Sequence, residues 1–73
     1  MITMFKTLKI ESSTYRVPMA IATRIEHLQR CIAAFEADKK YERAEKCRQH
    51  IYDIMDKALF DLEAYEVDGG EVA

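Results

Sequence analysis

Seventy-three residues, 49% hydrophobic and 33% charged, allow one small globular domain and exclude an intrinsically disordered chain. No stretch approaches the roughly 18 consecutive apolar residues of a membrane span. A chain this short buries only about 60% of its unfolded surface, so it relies on regular packing, a staple or a partner. The net charge of −2 hides an asymmetry: residues 1–50 carry ten Lys and Arg against six Asp and Glu, while residues 51–73 carry Lys57 against seven acids. Such separation orients a docking partner or favours head-to-tail association. The start, Met1-Ile2-Thr3-Met4-Phe5, lacks a charged region and a long apolar run, so no signal peptide is expected. With two cysteines, this points to a reducing, cytoplasmic setting.

Residues 2–10 alternate as a strand, with Ile2, Met4, Leu8 and Ile10 on one side and Thr3, Thr7 and Lys9 opposite. Glu11-Ser12-Ser13 offers turn chemistry, and the alternation resumes over residues 14–17. The pattern predicts a short β-hairpin. Pro18 lacks a donor for a ladder but suits a first helical turn, so a helix is expected over residues 18–37. Ile21, Ile25, Leu28, Ile32 and Phe35 are its apolar stripe, spaced alternately four and three apart.

A second helix is expected over residues 39–65, with Asp38 as its N-cap and the stripe Ala44, Cys47, Ile51, Ile54 and Ala58. The two stripes are mirror images about residues 39–40, which predicts an antiparallel helical hairpin. Phe35 is brought level with Ala44, Ile32 with Cys47, Leu28 with Ile51, Ile25 with Ile54, and Ile21 with Ala58. An uninterrupted helix through residue 38 is the alternative and would force dimerisation. Tyr52, Met55, Leu59 and Leu62 form a second stripe, expected to lie under Leu8, Ile10, Tyr15 and Val17. Acids crowd the end of this helix against its macrodipole, so it should fray beyond Tyr65. The expected fold is mostly α: one domain over residues 1–66, with a disordered acidic tail over 67–73.

His27, Cys31, Cys47 and His50 fall at one level of the hairpin, the ligand set of a structural zinc site. The same residues also read as packing cysteines and solvated edge histidines, and no cofactor is expected. A disulfide between Cys31 and Cys47 is a further alternative. Lys39, Lys40, Arg43 and Lys46 make the hairpin tip basic, as a nucleic-acid binder requires. Acids interleave with them at helical spacing (Glu42 with Lys46, Glu45 with Arg48), which reads more simply as self-paired helix surface. No phosphate loop, Ser-His-Asp set or cleft-forming pattern suggests catalysis. Phe60 lies on neither stripe and is a candidate contact, with Tyr41, Arg43, Arg48 and Tyr52. For Tyr52, burial under the β segment is the plainer reading.

Residues 41–51 resemble the second helix of the UVR-type helical hairpin, the docking module of the B and C subunits of bacterial nucleotide excision repair. Tyr41, Glu42, Ala44, Arg48 and Ile51 fit its aromatic-Glu-x-Ala-x-x-Leu-Arg-Asp-x-Ile pattern, with Cys47 in place of the Leu and Gln49 in place of the Asp. The hairpin followed by Tyr15-Arg16-Val17-Pro18 is also similar to small phage-encoded accessory proteins. Both resemblances imply protein–protein docking. The expected function is that of a non-enzymatic adaptor or inhibitor of a protein partner, self-associating, with no membrane and no nucleic acid. A nucleic-acid accessory protein and a zinc-stapled regulator are the alternatives.

Overall fold

The computed structural model describes residues 4–67. Strand β1 (Phe5–Ile10) and β2 (Ser13–Pro18) form an antiparallel hairpin, followed by helices α1 (Met19–Ala37) and α2 (Tyr41–Phe60). A third strand, β3 (Tyr65–Val67), pairs antiparallel with β2 and places it at the centre of the sheet. The β-hairpin and the helical hairpin match expectation. The third strand does not: residues 61–65 were expected to continue the second helix. Residues 2 and 3 of the expected first strand, and 68–73 of the expected tail, lie outside the described residues.

The β-hairpin turns on Glu11 and Ser12, between Ile10 and Ser13. Glu11 has φ of 57°, the left-handed region that type II′ turns usually give to glycine. A two-residue turn makes Ile10–Ser13 the closing hydrogen-bonded pair, so Leu8–Tyr15 and Lys6–Val17 carry the ladder. The ladder is prolonged past the strand by the Met19 N–H donating to the Met4 carbonyl at 2.8 Å. In that alternation the Lys9 carbonyl faces outward, and Gln29 of α1 donates to it at 3.2 Å. Lys6 reaches the same helix through a 2.7 Å ion pair with Glu26. On the outer face of the sheet, the Arg16 guanidinium lies 6.0 Å from the Phe5 ring centroid.

Both helices end in Schellman turns. At α1 the Lys40 N–H donates to Phe35 and the Lys39 N–H to Glu36; at α2 the Glu63 N–H donates to Ala58 and the Leu62 N–H to Leu59. The left-handed residue, usually glycine, is Lys39 (φ 61°) in the first and Leu62 (φ 60°) in the second. Asp38 is therefore the C-cap of α1, not an N-cap: its own N–H is spent on Ala34 and Phe35, and α2 starts from Lys40 without a side-chain cap. Pro18 likewise ends β2 and precedes α1.

Leu8, Ile10 and Val17 from the sheet meet Ala22 and Ile25 of α1, Ile51, Met55 and Ala58 of α2, and Ala64 beyond it. Val17 and Ile25 are completely buried, each worth about 1.5–3 kcal/mol relative to exposure. The buried part of α1 is its first half, so the sheet covers the open end of the helical hairpin. Toward the tip, Ile32, Phe35 and Cys47 are only half-buried. The second stripe of α2 is covered by the sheet as expected at Met55, Tyr52 and Leu59, but not at Leu62. The helix stops at Phe60, and the reversed backbone at Leu62 turns that side chain outward.

Candidate functional site

The described residues bury no polar or charged side chain. Four regions of the surface stand out.

The first is the end of α2. Phe60 is 87% exposed and Leu62 88%, more than any other large hydrophobic residue described. Tyr65, at the start of β3, is 53% exposed. The spacing found Phe60, because it falls off both stripes. It missed Leu62, because Leu62 continues the second stripe in sequence and leaves it only where the helix ends.

The second is the hairpin tip. Lys39, Lys40, Tyr41, Glu42 and Arg43 surround a shallow hollow of about 410 Å³, and Tyr41 is 62% exposed. Lys40 pairs with Asp38 at 3.3 Å, whereas Lys39, Arg43 and Lys46 make no ion pair among the described residues. Arg48 does not join them. It bridges α2 to α1 through Glu36 and holds Glu45 at 3.1 Å. Hydrogen bonding to Glu36, then to Glu45, raises its already high pKa. Glu45 is lowered, first by the amide of Gln49 at 2.9 Å and then by Arg48. Arg48, expected as a contact, is engaged within the chain.

A third region is the groove of about 440 Å³ between the β-hairpin turn and α2, with Glu11, Ser12, Tyr15, Tyr52, Asp53 and Asp56 in its walls. The Tyr52 hydroxyl donates to the Glu11 carboxylate, which raises the pKa of that phenol. Tyr52 is thus half-buried under the β segment and tethers it.

Finally, the seam between α1 and α2 carries His27, Leu28, Arg30 and His50 around one hollow and Ile21, Ile54 and Lys57 around the next, with Arg24 shared. The proposed zinc ligands do not close into a set. His27 Nε2 lies 3.6 Å from Cys31 Sγ, both cysteines are free thiols, and no group of three or more His, Cys, Asp or Glu is arranged for a metal among the described residues. His50 shares a hollow with His27, but the i, i+4 pair on α1 does not grow into a three-ligand set among the described residues. No described helix is long and apolar enough to cross a membrane.

The fold is that of a small helical hairpin with a three-stranded antiparallel sheet on its open end. No family model matches the chain, and neither a curated protein nor a solved structure does.

Proposed function

We propose that this chain is a small non-enzymatic protein-interaction module, an adaptor or an inhibitor, that engages a protein partner through the apolar end of α2. The supporting observation is Leu62. A leucine in the left-handed region costs about 1–2 kcal/mol, which glycine would avoid, and here its side chain is 88% exposed. An exposed apolar residue kept at a strained position, two residues from an 87% exposed phenylalanine, fits a contact retained for binding. Docking is also what the UVR-type and phage-protein resemblances imply, with cytoplasmic location and self-association as parts of the same reading.

The experiment is capture of partners from nuclease-treated bacterial lysate by the tagged chain, alongside the variants Phe60→Ser and Leu62→Gly. One near-stoichiometric protein on the native chain, lost on both variants while Leu62→Gly melts higher, supports the reading. Recovery of the bait alone, with binding only when nucleic acid is left intact, overturns it in favour of the basic tip. Metal copurifying in one equivalent per chain would favour the zinc-stapled regulator instead.

A further inference from the structure

The α1–α2 seam has a chemistry of its own. Two shallow hollows, of about 440 and 200 Å³, meet at Arg24, and none of their lining residues belongs to the sheet. Ile21, Leu28 and Ile54 pack against the core but stay only half-buried, so each keeps some apolar surface toward the hollows. Around them stand Arg24, Arg30 and Lys57, with the imidazoles of His27 and His50, against one carboxylate, Glu63. Lys57 is paired with Asp61 at 3.1 Å, but Arg24 and Arg30 have no ion-pair partner among the described residues. The second hollow ends at Glu63, the residue after Leu62, so the seam runs into the exposed end of α2.

We infer that the seam receives an acidic amphipathic segment of a protein partner, with apolar side chains over Ile21, Leu28 and Ile54 and carboxylates on Arg24 and Arg30. The inference rests on the protein-binding reading and names the chemistry of the partner. Charge selects the occupant: two unpaired guanidinium groups flanking an apolar strip complement a segment that is apolar on one face and anionic on its edges. Length suits a helix, because Ile21 to Arg30 spans roughly 14 Å of helix axis, about two and a half turns. Nucleic acid fits less well. An apolar floor offers nothing to a phosphate backbone, and neither hollow is lined by a Phe, Tyr or Trp ring, only by the smaller imidazoles of His27 and His50.

The test is fluorescence anisotropy with the full chain and a short labelled helical peptide carrying a leucine face and glutamate edges. Two competitors are used: the same peptide with every glutamate replaced by lysine, and a single-stranded oligonucleotide. The acidic peptide should bind, with affinity falling as salt rises, and the lysine version should bind at least about tenfold more weakly. Arg24→Glu and Arg30→Glu, both on exposed positions, should each weaken binding about tenfold with unchanged circular dichroism. Equal binding of the two peptides, no binding of the acidic one, or insensitivity to both substitutions overturns the inference. Tighter binding of the oligonucleotide, lost on the same substitutions, overturns it too and makes the seam a phosphate site. A lysate partner that is captured undiminished by Arg24→Glu sinks the seam while leaving the protein-binding reading intact. Failure of the native chain to capture any protein sinks that reading itself.

Discussion

Tyr52 of α2 hydrogen-bonds to Glu11, 41 residues earlier at the tip of the β-hairpin, and so fastens the sheet to the helical hairpin. The carboxylate accepts from the phenol and raises its pKa, so the folded chain favours the protonated phenol more than the unfolded chain does. The stabilisation is therefore fully present below the ordinary tyrosine range and is lost as pH rises through the elevated folded value. In a spectrophotometric titration, one tyrosine should ionise later than the rest, and Tyr52→Phe should remove that late phase. If the late phase survives the substitution, the tether does not form in solution.

At the tip, the acid side shows the opposite sign. Glu45 has its pKa lowered by Gln49 and then by Arg48. Its contribution is present above the ordinary carboxylate range and is lost as pH falls through the depressed folded value. Melting temperatures followed from neutral pH downward should fall less steeply in Gln49→Ala and in Arg48→Gln than in the native chain. Parallel curves would show that the Glu36–Arg48–Glu45 bridge adds nothing in solution, as is common for exposed ion pairs.

The two Schellman turns make a prediction in the stabilising direction. Lys39→Gly and Leu62→Gly each relieve a left-handed backbone at a helix end, for a gain of about 1 kcal/mol. In a domain of this size that raises the melting temperature by roughly 4–8 °C. The two sites share no hydrogen bond, so the gains should add. A drop in melting temperature for either variant would mean that the side chain, not the backbone, decides stability there.

Core and surface apolar residues should separate cleanly. Ile25 is fully buried, and Ile25→Ala should cost about 2–5 kcal/mol by chemical denaturation, a large part of what so small a domain has. Phe60→Ser, at an 87% exposed position, should lie within about 0.5 kcal/mol of the native chain. Substantial destabilisation by Phe60→Ser would place that ring in a contact within the fold or between copies.

Much of this architecture was legible because helix and strand geometry fix side-chain direction locally. Ile25, Ile51 and Ala58 lie on the predicted stripes and are buried; Leu8, Ile10 and Val17, expected with Tyr15 over α2, are buried in one cluster with residues of both helices, and Tyr15 packs against it half-buried. Phe60 was found by the same logic, from its absence from both stripes. The mirrored stripes placed the fold-back at residues 38–40, where the chain reverses. His27, Cys31, Cys47 and His50 share one level of the hairpin yet form no three-ligand group among the described residues, since side chains at one level along two helices need not point to one centre.

What the sequence determined by itself was therefore the set of elements and the faces they bury, since a period of two or of three and a half is written in the order of residues. The tertiary structure decided where α2 ends. Nothing in Asp61-Leu62-Glu63 marks a helix stop, because the left-handed position lacks glycine, and Tyr65-Glu66-Val67 is too short to show a period. The end is set by distant partners: β2 offers Thr14 and Arg16 to pair with β3, and Ala64 drops into the core. Pairing across fifty residues outweighs the local preference to continue the helix. The exposure of Leu62 follows from that non-local choice.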